Sequence, residues 1–132
     1  MLNKRDNKRL FALMLGLALI FIFNPASAEQ LAAAKSPEVP ANLNLNKMLY
    51  EKFCASCHGV DLKGTKKGPP FLHRVYHPGH HGDGSFFRAA KNGARAHHWK
   101  FGDMKPVPET NDSIIASIVK YVRYIQKQAG LF

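Results

Sequence analysis

The sequence predicts an all-α fold, on three observations. From residue 43 the apolar residues Leu45, Leu49 and Phe53 recur every fourth position, with Met48 alongside. Near the C-terminus Ile114, Ile118, Tyr121, Val122 and Ile125 follow the same 3, 4 rhythm. Between them Phe86, Phe87 and Ala90 make a shorter apolar face. Such spacing gathers side chains on one side of a helix, and the remaining stretches read as loop.

The chain has 132 residues, enough for one domain, and shows no internal repeat. It opens with Lys4, Arg5, Lys8 and Arg9, followed by an unbroken apolar run of fourteen residues at 10–23. Asn24-Pro25 ends the run, and Ala26-Ser27-Ala28 supplies the small residues of a cleavage site. Residues 1–28 therefore read as a secretory signal peptide, with export to a bacterial periplasm. The run is short against the about 20 apolar residues of a membrane span; retention as an anchor is the alternative, and the only one that brings in a membrane. Cleavage removes four of the 19 Lys and Arg and one of the nine Asp and Glu, leaving a formal +7. A basic surface suits partners with acidic docking faces, steered over a range that salt shortens. Export argues against nucleic acid.

Residues 29–42, with Pro37 and Pro40 and no apolar period, read as a flexible linker. The first helix follows, capped by Asn42 or Asn44, and runs into Cys54-Ala55-Ser56-Cys57-His58, the pattern C-x-x-C-H. That pattern is the attachment signal of a c-type haem. Two thiols at this spacing reach the two vinyl groups on one porphyrin edge, and the next residue falls under the iron. His58 offers it a neutral imidazole nitrogen. These are the only two cysteines, so a zinc site would need two histidines as well. A dithiol of thioredoxin type would need a βαβ setting.

Residues 59–70 form a wet loop with Gly64, Gly68 and Pro69-Pro70. A backbone carbonyl in its Gly68-Pro69 part is the expected acceptor for the second ring nitrogen of His58. Asp83 is expected to cap the middle helix and Gly93 to stop it. Residues 94–109 read as a loop of fixed shape. Thr110, Asn111 or Asp112 caps the last helix, and Gly130 closes it.

The iron needs a sixth ligand unless it is open for chemistry. Met1 and Met14 lie in the signal and Met48 in the first helix, which leaves Met104, in Gly102-Asp103-Met104-Lys105-Pro106. A thioether opposite histidine favours reduced iron and closes the coordination sphere. His80, His81, His97 and His98 are the competing ligands.

In these features the chain resembles a class I cytochrome c, from about residue 44 to 128. The resemblance rests on Tyr50 four residues before Cys54, on Gly68-Pro69, on Met104, and on Ile118 and Tyr121. It implies a cytochrome c-like fold of three to five helices around one covalent haem c, in a domain spanning 43–132. It implies Pro69 as acceptor for His58 and Met104 as axial ligand. The family often has glycine where the terminal helices cross; here Asn46 stands there, and its bulk is expected to push those helices apart or tilt them. Residues 80–104 are similar to a bacterial branch with a His-His-Trp-x-Phe-Gly-Asp-Met segment.

Trp99 is expected at the haem, its indole N–H aimed at a propionate, or in the core with a backbone partner. The pairs His80-His81 and His97-His98 flank the middle helix and could meet. One reading has them bonding propionates, Asp83 or Asp103. The other is a second metal site, for which imidazole suits copper or zinc. Adjacent histidines on an extended segment point apart, which weakens chelation by either pair alone. The function expected is an exported electron carrier that is not an enzyme. The alternatives are a haem-bearing subunit of a larger exported oxidoreductase, and a haem enzyme or sensor with a labile sixth ligand.

Overall fold

A computed structural model describes residues 38–132. The signal segment at 1–28 and most of the linker lie outside the described residues. Within them the all-α expectation holds. There are four helices and no strand: α1 Asn44–Phe53, α2 Ala55–His58, α3 Asp83–Asn92 and α4 Asp112–Gln128. Single 3-10 turns occur at Ala41–Leu43 and Arg74–Tyr76. No helix among the described residues is long and apolar enough to cross a membrane.

Helix α1 packs on α4, and α3 packs on α4 from another side. The long helix is thus the floor of the domain. Its buried side chains include Ile115, Ile118, Val119, Tyr121, Val122 and Ile125. At the α1–α4 crossing Tyr50 is wholly buried, its ring 5.4 Å from that of Tyr121 and 6.4 Å from that of Phe71. Its hydroxyl donates to the Gly59 carbonyl, so α1 also holds the start of the loop after the C-x-x-C-H motif. Leu62 and Phe71 complete this cluster.

The face of α1 differs from the expected one. Leu45 and Met48 are 65% and 63% exposed. Tyr50 is buried, and Asn46, Leu49 and Phe53 are half-buried. A four-residue repeat drifts around a helix of 3.6 residues per turn, and the aromatic at Tyr50 decides which side faces inward. Asn46, expected as a wedge, also has a bonding role. Its amide donates to the Ser117 carbonyl on α4 at 3.0 Å, a link across the crossing.

Two caps also differ. Leu43, not Asn42 or Asn44, precedes α1, and no side chain caps it. The 3-10 turn before it already occupies some of the first amides. Gly82 holds the cap position of α3, while Asp83 sits in the first turn and binds Arg123 (Nε to Oδ1 2.7 Å). At α4 the Asn111 side-chain oxygen Oδ1 accepts from the Ile114 amide at 2.9 Å, a true side-chain cap.

Arg123 joins three parts of the chain. Besides Asp83 it donates to the carbonyls of Tyr76 and His81 and to Gln126 Oε1, and its guanidinium lies 4.9 Å from the centre of the Phe86 ring. Gln126, wholly buried, donates in turn to the Phe71 carbonyl at 2.7 Å. A rigid fork of donors can serve several acceptors at once. Here it fixes residues 71–83 over α4, and so sets one wall of the cavity described next.

Candidate cofactor site

A cavity of about 830 Å³ opens between α2, the 67–71 loop, α3 and the 94–107 loop. Cys54, Cys57, His58, Pro69, Trp99 and Met104 all line it. The walls bring together three separate stretches of chain.

The first wall is the motif. The amide of His58 bonds the Cys54 carbonyl at 3.0 Å, so Cys54 to His58 form one helical turn. Both thiols are free and half-buried. Burial, and then the neighbouring Cys57, push the Cys54 thiol up to about 11. It is therefore protonated at neutral pH. His58 is buried, and its Nδ1 lies 2.9 Å from the Pro69 carbonyl. A carbonyl can only accept, so Nδ1 carries the proton and Nε2 keeps its lone pair. Desolvation holds the ring below the ordinary imidazole value, against the opposing pull of the Pro69 bond, which keeps it neutral. The Phe71 ring stacks on it, centroids 4.0 Å apart at 14°.

The acceptor is placed by the loop folding back on the motif. Thr65 Oγ1 donates to the Cys57 carbonyl at 2.6 Å, and the Thr65 amide bonds the Gly68 carbonyl at 3.0 Å. Gly68 sits so close that a methyl group on it would come within 3.1 Å of Cys57 Cβ. A larger residue there would force the Cys57 segment to shift by a few tenths of an ångström.

The second wall carries Met104. Its amide and carbonyl pair with Ala94 at 2.8 and 3.0 Å, the one isolated β-bridge among the described residues. Val107 adds a bond to the Ala90 carbonyl at 2.8 Å. The Met104 backbone is thus tied to the end of α3, and its half-buried side chain borders the cavity.

Trp99 belongs to the same wall, edge-on to His73 at 4.8 Å between centroids. Its indole Nε1 is buried and has no hydrogen-bond partner. The Tyr76 phenol, which burial pushes up to about 12, feels the indole, but the pair falls outside hydrogen-bonding geometry. A buried donor without an acceptor is costly and rare. A carboxylate on a group filling the cavity would satisfy it.

Exposed Lys67, Arg88, Arg95 and Lys105 also line the cavity, with Asp103 the acid among its lining residues. Arg123 and Gln126 were missed in the sequence. The visible sign was a charged and an amide side chain inside the apolar rhythm of α4. The four histidines 80, 81, 97 and 98 come together, and none bonds Asp83 or Asp103. Asp83 is held by Arg123 and Asp103 by the Ala96 amide at 2.9 Å. Both histidine pairs lie in bent rather than extended chain, so neighbours converge, with ring centroids 4.8 and 4.4 Å apart.

The fold and these walls define a small helical domain built around a cofactor pocket that pairs two thiols with a buried imidazole. A family model described as cytochrome c matches residues 46–126, and the chain belongs to that family, which binds haem c and serves electron transfer. Comparison with curated proteins and with solved structures gave no match.

Proposed function

We propose that this chain is an exported carrier of single electrons, holding one haem c through Cys54 and Cys57. One observation carries the reading: buried His58, its Nδ1 committed to the Pro69 carbonyl at 2.9 Å, turns a bare nitrogen toward a cavity that both thiols and Met104 share. Bound there, the haem supplies a one-electron Fe(II)/Fe(III) couple.

The chain's own residues then have distinct tasks. Cys54 and Cys57 would each add their S–H across a vinyl double bond of the haem, sulfur to one carbon and hydrogen to the other, giving two thioethers. His58 donates its Nε2 lone pair, and the carbonyl behind it fixes the ring and raises its basicity. Met104, held by its bridge to Ala94, would supply a thioether sulfur as a further iron ligand. The orphan Trp99 N–H finds an acceptor in a propionate. Phe71 and Phe86 keep water from the interior. A haem held by both His58 and Met104 would have no coordination position left for a substrate, which favours transfer over catalysis.

The four cations around the cavity against one acid support partners with acidic docking faces. The basic n-region and apolar run at 1–28 support export to the periplasm.

Optical spectra of the purified protein in both oxidation states test the reading. The expected result is a c-type spectrum retained through acid–acetone extraction, with the weak long-wavelength band of methionine-ligated ferric haem. Extractable pigment would overturn the thioether attachment. Rapid binding of carbon monoxide to the reduced protein would overturn the closed coordination sphere and favour an enzyme or sensor.

A further inference from the structure

The seven histidines separate into three groups. His58 lines the central cavity. His73 and His77 each accept a backbone amide two residues on, at 3.3 and 3.0 Å. The other four converge at the edge of the cavity. His80 Nε2 lies 3.1 Å from His98 Nε2, and His81 Nε2 lies 3.4 Å from His97 Nε2. Ligand atoms of His80, His81 and His98 all fall within 4.8 Å of one another.

The tautomers make this cluster informative. His81 Nδ1 is 2.7 Å from the Val75 carbonyl, and His97 Nδ1 is 2.7 Å from the Arg95 carbonyl. Carbonyls only accept, so both Nδ1 atoms carry protons. In neutral rings the two Nε2 atoms are then bare lone pairs facing each other. Two acceptors at 3.4 Å repel unless a cation lies with them. A shared proton would relieve this one pair only, whereas a metal ion also draws in the His80 and His98 nitrogens 3.1 Å apart beside it. One metal ion would draw on both pairs: ligand atoms of His80, His81 and His98 already gather, and His97 reaches the group through its 3.4 Å approach to His81. A carbonyl behind Nδ1 is also how metal-bound histidines are oriented.

We propose that His80, His81, His97 and His98 bind one divalent ion of the late first transition row, holding Cu(II) more tightly than Zn(II). Nitrogens at about 2.0–2.1 Å from one ion stand about 2.9–4.2 Å apart. The 3.1 and 3.4 Å separations lie in that range, and the 4.8 Å spread closes with small rotations of the exposed His80 and His98 rings. An all-imidazole set suits copper and zinc, and the Irving–Williams order places copper first. Arg123, which reaches the His81 carbonyl, is itself neutralised by Asp83. The proposal requires that none of these four histidines is the sixth iron ligand, and it rests to that extent on the reading of Met104.

The test is calorimetric titration of the haem-loaded protein with copper(II) sulfate or zinc chloride at neutral pH, with electron paramagnetic resonance of the copper form. One Cu(II) per chain is expected, with a Kd below about 1 μM, weaker Zn(II) binding, and nitrogen hyperfine splitting. The double variant His80→Ala/His98→Ala, at exposed positions, should weaken copper binding by about 100-fold or more. The single variant His97→Gln should weaken it too. The haem spectrum of each variant should be unchanged. Copper affinity weaker than that limit, or unchanged in the variants, overturns the proposal. So does an altered haem spectrum, which would make one of these histidines an iron ligand. A failed haem reading shows in the optical spectrum of the protein before any copper is added, so the two outcomes are separable.

Discussion

Gly93 and Met104 touch: a methyl group on Gly93 would lie 2.5 Å from the Met104 carbonyl oxygen. Gly93 also holds φ at +76°, which side chains rarely adopt. The residue that ends α3 therefore decides how closely the methionine loop can approach. Gly93→Ala is expected to cost about 1–3 kcal/mol in denaturant unfolding, from backbone strain and this clash. It should also weaken the methionine band of the oxidised protein, because Met104 moves with its bridge.

Trp99→Phe probes the orphan donor. The ring volume is partly kept and no bond within the chain is lost. If the indole serves a propionate, the haem-loaded protein should lose about 0.5–1.5 kcal/mol of stability. The pH dependence of its reduction potential should change with it. A wholly structural role for Trp99 would leave that pH dependence unmoved.

Arg123 is half-buried and serves four acceptors, so removing it leaves Gln126 and two carbonyls short of a donor. Arg123→Met should destabilise by about 3–5 kcal/mol, and Arg123→Lys should rescue little because one ammonium cannot replace the fork. Asp83 is 63% exposed at its side chain, and Asp83→Asn should cost about 1 kcal/mol or less. Chemical denaturation of the three variants gives the ranking.

The α1 face yields a paired test. Leu45→Ala, at a side chain 65% exposed, should stay within about 0.5 kcal/mol of the parent. Asn46→Gly restores the residue common in the family at this crossing, yet should destabilise by about 1–2 kcal/mol. It loses the Ser117 bond and places glycine inside a helix. A stabilised Asn46→Gly variant would mean that the side chain is a wedge after all.

The all-α class, three of the helices and the C-x-x-C-H haem signal were legible in the residue pattern alone. Those features are local. A helical period, a cap and a C-x-x-C-H turn are set by neighbours a few positions away, and local rules reach that far. Tertiary structure decided the rest. It turned Tyr50 inward and Leu45 outward, because the aromatic cluster around Phe71 and Tyr121 outweighs two aliphatic side chains. It made Asn46 a link across helices and gave Asp83 to Arg123 instead of a cap. It also closed four histidines from two distant segments onto one point. Their meeting depends on the Arg123 fork and the Ala94–Met104 bridge, long-range contacts that no spacing within either segment encodes.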